Sequence, residues 1–499
     1  MNCVPGAMQR RKCFVPVLLI VSAPLFGQGR GGSDWSTSGG DAHRSGWVRT
    51  DPKISPASLG KPGFELLWKL KLKSEPLSAP VLLERYIGYR GFRSYAFIGG
   101  SAEDAFTIDT DLGRIEWQRH LSAAGAGTAV CPGGMTATLA RPAVAAFPMA
   151  NPGRGGGGGG RSTSAKSGVG QPFEGAVTLA QIAAAAPPPA LNPNPAAGRA
   201  GRGPARMPEM IHALTSDGML HNIYVSNGEE PAPALPFLPA HAKVSAFSFV
   251  DNVPYATTSG NCGGVPDGVW ALDPETKTVA AWKGVVAGSG DVAFGPAGAY
   301  LTTQSELITL EPKTLEKKAS YNAGAAFGTA PLVLQMGART LIAAATKDGA
   351  IHVVDAASPD APAAKSSAGD PNPYALAAWQ DGTGTLRIVA TGSQSVAAWT
   401  LADRGGSLSL EKSWSSHDVK SPVAPLVVNG VLFAASRGDR SAHATLYALD
   451  AATGKQLWTS GNAIDSFIAE SGGIAAGGST VYFGTSDGAL WAFGFPIPH

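Results

Sequence analysis

The chain has 499 residues, of which 44% are hydrophobic and 15% charged, and its formal net charge is +2. That balance excludes the concentrated basic face a nucleic-acid binder needs. Sixty-four glycines and 38 prolines punctuate short apolar runs, as a many-stranded all-β chain or one large repeat array requires, and 8% aromatic residues suffice for a substantial core.

Residues 1–28 read as a secretory signal. Arg10, Arg11 and Lys12 form a basic start, Phe14 to Phe26 a short apolar run, and small residues around Gly27 a cleavage point. The run is too short for a membrane span, and an uncleaved anchor is the alternative. Cys13 precedes the apolar run, whereas a lipoprotein cysteine follows it, so no lipid anchor is expected. No second long apolar run occurs, so the mature chain is expected to be soluble, without a membrane span. It is expected to be monomeric and exported, periplasmic or extracellular. Residues 29–63 form an N-terminal extension, and residues 64–499 a repeat array.

The array opens on a strand, Phe64-Glu-Leu-Leu-Trp68-Lys-Leu, that lacks partners nearby. The first full unit follows: Tyr95-Ala-Phe-Ile-Gly, Phe106-Thr-Ile-Asp109, Gly113 and Trp117. Residues 150–208 break the period with six successive glycines (Gly155 to Gly160), an alanine run and Pro187-Pro-Pro. Such composition cannot bury enough apolar surface to offset its ordering entropy, so a disordered loop inserted in the second unit is expected. Its arginines offer an anionic partner or polysaccharide a contact; a solvated insertion is the plainer reading.

The grammar then resumes, with Ser216-Asp217-Gly218 between Ile211–Leu214 and Leu220–Val225, Trp270-Ala-Leu-Asp273 with Trp282, and Leu307-Ile-Thr-Leu-Glu311. Further on come Lys347-Asp348-Gly349 before Ile351–Asp355, and Leu386-Arg-Ile-Val-Ala ending at Trp414. Val431-Leu-Phe-Ala-Ala and Leu446-Tyr-Ala-Leu-Asp-Ala-Ala-Thr-Gly-Lys-Gln-Leu-Trp458 make the clearest unit, and Ser486-Asp487-Gly488 with Leu490-Trp-Ala-Phe493 the last. Asp-Gly between apolar runs is a strong hairpin signal. Pro-bounded runs such as Ala79-Pro80-Val81 and Val423-Ala-Pro425-Leu426 supply a further inner strand. Four short antiparallel strands, repeated at roughly 40–45 residues, are a propeller blade.

Eight units predict an all-β, eight-bladed β-propeller of four-stranded antiparallel blades; seven or nine blades are the alternatives. The last unit lacks a Trp-bearing outer strand, and the unmatched strand is the first. Residues 64–73 are therefore placed beside residues 489–495, closing the ring and removing an exposed sheet edge.

The 446–458 pattern resembles the repeat of pyrroloquinoline-quinone (PQQ) quinoprotein dehydrogenases and their non-enzymatic relatives. Asp34-Trp-Ser-Thr-Ser-Gly-Gly-Asp41, with Arg44 and Ser45, is similar to the start of the mature quinoprotein chain. The resemblance implies PQQ and Ca²⁺ as cofactors, in a central funnel with a Trp floor, convergent Glu, Asn and Asp, and a ring of two adjacent cysteines over the quinone. No adjacent cysteines occur here, nor does Cys-x-x-Cys-His for an attached haem. After signal cleavage Cys131 and Cys262 remain, a candidate disulfide in an oxidising compartment; two separate small buried residues are the alternative.

No His-Glu-x-x-His, P-loop or Gly-x-Ser-x-Gly motif appears, the histidines are scattered without zinc spacing, and no catalytic residue is assigned. Two clusters are candidate ligand sites. Arg85-Tyr-Ile-Gly-Tyr89-Arg90-Gly-Phe-Arg93 combines guanidinium forks for carboxylates or phosphates with aromatic faces for sugars or a quinone; stacked arginines on an amphipathic connection are the alternative. Asn261 and Asp267, in the loop Ser259-Gly-Asn261-Cys262-Gly-Gly-Val-Pro-Asp267-Gly, suit an ion; a structural loop is the alternative. The functional expectation is an exported, non-catalytic binding or scaffold protein with a protein or carbohydrate partner. A PQQ-dependent dehydrogenase of alcohols or sugars with an atypical site, and an envelope-assembly scaffold, are the alternatives.

Overall fold

The computed structural model describes residues 34–88, 91–122, 131, 134–147, 209–416 and 419–496. The signal, the 150–208 insertion, Tyr89 and Arg90 lie outside these residues.

Eight sheets follow one another along the chain. The first blade runs Val81–Gly88, Gly91–Gly100, Asp104–Asp109 and Arg114–His120. The second has Met210–Leu214, Met219–Tyr224 and Leu235–Pro236, and its innermost strand is reduced to a bridge between Ala140 and His212. The third spans Val244–Val250 to Val279–Lys283, the fourth Ala293–Gly295 to Lys317–Asn322, and the fifth Leu332–Met336 to Ser358–Lys365. The sixth spans Ala375–Gln380 to Ser407–Ser416, and the seventh Leu426–Val428 to Gln456–Thr459. The eighth holds Ile474–Gly477, Thr480–Gly484 and Ala489–Gly494, and Glu65–Lys71 completes it from the other end of the chain. Trp68 lies opposite Ala492 and Glu65 opposite Gly494 in that antiparallel closure, as expected from the sequence. Apolar layers fill the seams between neighbouring sheets, so each blade is buried on both faces.

Tryptophan and turn glycine explain each other across these seams. The Trp414 indole N–H, on the sixth blade's outer strand, donates to the Ala451 carbonyl of the seventh blade's outer turn at 3.0 Å. Gly454 in that turn has φ +74°, and a Cβ there would stand 2.5 Å from the Trp414 ring. Trp68 donates in the same way to Thr110 over Gly113, and Trp117 to Val225 over Gly228. The repeat's Asp…Gly…Trp spacing is thus a lock between blades as well as a turn within one.

The segment that precedes the closing strand circles the axis. Carbonyls of Trp35, Ser36, Ala42, His43, Ser45 and Gly46 accept from the amides of Leu82, Arg141, Phe294, Val333, Ala378 and Val427 in turn. These amides belong to inner segments of the first, second, fourth, fifth, sixth and seventh blades. Trp47–Val48 adds a parallel strand inside the seventh blade, and Asp51 accepts from the Ser479 amide of the eighth at 2.8 Å. One peptide segment thus satisfies an inner amide in six of the eight blades, while Pro142–Ala143 pairs with the inner strand of the third.

Candidate functional site

The axis carries a cluster of buried and half-buried charges. Arg44 pairs with Asp291 at 2.8 Å, and both side chains are about one-tenth exposed (11% each). Ser38 and Ser289 donate to the two oxygens of the same carboxylate. Asp41 accepts from the Ser45 amide at 3.0 Å and the Ser45 hydroxyl at 2.7 Å. Burial alone would raise its carboxyl, but the His43 ring and the Ser45 donors outweigh burial and hold it below the ordinary range. His43 stacks on Phe147 with 4.3 Å between ring centroids. Arg141, also buried, bridges Asp34 at 2.8 Å and Glu209 at 3.0 Å.

These residues do not fit a quinone and its cation. Each axial carboxylate is already engaged: Asp291 by Arg44 and two serines, Asp41 by Ser45, and Asp34 by Arg141 and the Glu84 amide. Among the described residues no group of three His, Cys, Asp or Glu side chains is arranged to hold a metal. Cys131 and Cys262 are joined to each other, with 5.4 Å between their Cα atoms, and tie the third blade's long turn to the connector after the first blade.

Of the residues singled out from the sequence, Arg93 lies in the first blade and Asn261 and Asp267 in the third. Arg93 lies 3.5 Å from the fully buried Asp109 carboxylate. Arg85 sits at φ +56° in a bulge of the first hairpin, beyond which Tyr86 faces Arg93 and Ile87 faces Phe92. Asn261 and Asp267 do meet, but the Asp267 carboxylate accepts from the Asn261 amide at 2.8 Å, closing the loop on itself. That loop interrupts a lock that other blades keep short. Trp270 donates to the Thr258 hydroxyl at 2.8 Å, as Trp491 donates to Thr485 at 3.1 Å.

The same lock imitates a catalytic triad in the second blade. Glu230 lies 2.8 Å from His221 Nδ1, and His221 Nε2 lies 3.2 Å from Thr215 Oγ1. The Thr215 hydroxyl donates to Asp217 and also lies 3.1 Å from the Met219 carbonyl. Thr346 bonds Asp348, Ala350 and His352 in the same way, and in the eighth blade Trp491 stands where the histidine stands. A position that accepts tryptophan does not require a base, so the constellation is a turn lock and not a nucleophile.

A cleft of about 290 Å³ opens between the eighth and first blades. Trp68 of the closing strand, Glu84 and Tyr95 of the first hairpin, Asp111 of the first blade's outer turn and Tyr482 of the eighth blade wall it. Burial, then the Glu116 and Asp109 charges, push the Tyr95 hydroxyl up to about 12. Neither Glu84 nor Asp111 stands out in the sequence; each sits among turn and strand residues with no local signal.

The fold and site define an all-β, eight-bladed propeller. Residues 382–494 match the family described as PQQ_2, outer membrane protein assembly factor BamB. Over those residues the chain is similar to that family, and its repeat and the locks between blades are of the PQQ-repeat β-propeller kind. No curated protein sequence matches it significantly. Among solved structures it is similar to quinohemoprotein alcohol dehydrogenase from Comamonas testosteroni (13% identity, TM-score 0.54, 94% of this chain and 81% of that one). Quinohemoprotein alcohol dehydrogenase ADHIIG from Pseudomonas putida HK5 gives the same identity and coverage at a TM-score of 0.57. A europium-containing methanol dehydrogenase gives 11% identity and a TM-score of 0.53 over 93% of this chain and 99% of that one. Identities this low carry the fold alone.

Proposed function

We propose that this chain is exported and acts as a non-catalytic propeller that presents its surface to a protein or carbohydrate partner. The observation that carries this reading is the axis: residues 35–48 bond to the inner segments of six blades, and the charged groups there are engaged by one another and by serines. Export is supported by the basic and apolar start of the chain and by the Cys131–Cys262 bond, a bond suited to oxidising compartments. The match over residues 382–494 favours one form of this reading, a scaffold in envelope assembly.

Titration of the purified mature protein with PQQ and Ca²⁺ tests it. No quinone absorbance change at high micromolar cofactor, and no alcohol- or sugar-dependent dye reduction, is the expected result. Stoichiometric binding with substrate-dependent dye reduction would replace this reading with an atypical quinoprotein dehydrogenase.

A further inference from the structure

The cleft between the eighth and first blades combines three features that point to one ligand chemistry. First, it is acidic. Asp111 makes no hydrogen bond or ion pair with any described residue through its carboxylate, and burial, then the neighbouring Asp109, raises that carboxyl above its ordinary range against the opposing charge of Arg93. Glu84 adds a second carboxylate, which accepts from the Gly478 amide. Lys53, the one cation among the described residues of the lining, donates instead to the Pro496 carbonyl at 3.1 Å.

Second, the walls are aromatic. Trp68 and Tyr482 lie side by side with ring centroids 5.9 Å apart. Aromatic faces beside carboxylates favour a cation with an apolar stem over a hydrated metal ion.

Third, the same elements carry most of the exposed apolar bulk. Five of the eight large hydrophobic residues that are exposed among the described ones belong to them: Leu66 (39%), Ile87 (53%), Phe92 (71%), Leu112 (55%) and Ile115 (39%). Leu66 belongs to the closing strand, Ile87 and Phe92 to the first hairpin, and Leu112 and Ile115 to the first blade's outer turn and strand. Exposed apolar residues on the elements that wall an acidic, aromatic cleft suit a protein interface better than a site for a free solute.

We propose that this cleft receives one arginine or lysine side chain of a partner protein, whose neighbouring apolar residues rest on the exposed leucine, isoleucine and phenylalanine side chains carried by the same elements. The inference rests on the binding-protein reading above and names the chemistry of its partner. The carboxylates hold the charged head, the aromatic wall covers the stem, and the partner's apolar residues add contact area on the same elements.

The full mature chain is titrated calorimetrically with a short capped peptide holding one arginine between leucines, and with the same peptide holding citrulline, its neutral isostere. The arginine peptide is expected to bind about tenfold more tightly. Asp111→Asn, at an exposed turn, should remove most of that difference with the melting temperature unchanged. Leu112→Ser should weaken both peptides alike, and it serves as the second variant should D111N fold poorly. Equal affinity for arginine and citrulline, or an arginine preference indifferent to D111N, overturns the proposal. So does preferential binding of a neutral oligosaccharide that competes with the peptide. Quinone binding measured on the same sample would overturn the non-catalytic reading and leave the peptide result standing, so the two failures are distinguishable.

Discussion

At the scale of single residues, the locks make two quantitative demands. Gly454 is both left-handed and pressed against Trp414, whereas Gly337 is left-handed at φ +59° with nothing within 4 Å of where a Cβ would stand. Gly337→Ala should therefore cost only the conformational penalty, about 1 kcal/mol. Gly454→Ala adds displacement of the indole from its seam and should cost about 3 kcal/mol. Urea unfolding of the two variants in parallel separates the terms, and equal losses would show that the Trp414 contact contributes little. The second demand concerns protons. His212 and His352 are buried, and burial, the largest cause in each, holds both rings down at about 4. Their ordinary value is 6.5, so the unfolded chain binds protons that the folded chain refuses. The stability they permit is full above pH 6.5 and is lost as pH falls toward 4, by at most about 3 kcal/mol each. Urea midpoints at pH 7, 6 and 5 should fall accordingly, and His352→Gln should remove about half of the slope.

At the scale of elements, legibility followed locality. Thr445–Asp450 takes in the Leu446-Tyr-Ala-Leu-Asp run of the clearest unit, and Glu65–Lys71 pairs where the missing outer strand predicts. Both are decided by patterns within a few residues and by the need to bury an edge. The second blade's inner strand was not legible, because its only pairing in that sheet is Ala140 with His212, across an interruption of the repeat. The axial site was not legible either. Ser38 and Asp291 stand 253 residues apart, and nothing near Asp291 marks it as the partner of a serine and an arginine. Asp267 was legible as a polar residue in a glycine-rich loop, but not that its carboxylate closes the loop on the Asn261 amide. The long turn of the third blade owes its position to the bond from Cys262 to Cys131, which closes a span of 131 residues. Chain-entropy arguments give such a closure about 3–5 kcal/mol. Cys131→Ser with Cys262→Ser should lower the urea-derived stability by that amount while far-ultraviolet circular dichroism is unchanged. A loss below about 1 kcal/mol would mean that the unfolded chain is already held together in this region.

At the scale of the whole molecule, two devices hold the ring, and they act at different radii. The outer one is the closing strand beside Ala489–Gly494, which removes a sheet edge. The inner one is residues 35–48, which give six of the eight blades a main-chain partner. Because its bonds reach successive blades, the inner segment can be fully satisfied only when the ring is complete, so it couples blades that share no sheet. Arg44 is its main charged anchor, buried against Asp291 at the mouth of the fourth blade. Arg44→Met keeps the volume of the stem but leaves Asp291 buried with only its two serine donors. Breaking one side of a buried pair costs about 3–5 kcal/mol, and the serines place this case at the lower end. The exposed pair Lys71–Glu75, with side chains 56% and 55% exposed, is the natural control. Lys71→Met should change stability by less than about 0.5 kcal/mol. If the segment couples the ring, R44M should also broaden unfolding, with protection from amide exchange falling together in the fourth to seventh blades and not in the fourth alone. A loss confined to the fourth blade would make the segment a filler of the axis and leave closure to the outer strand.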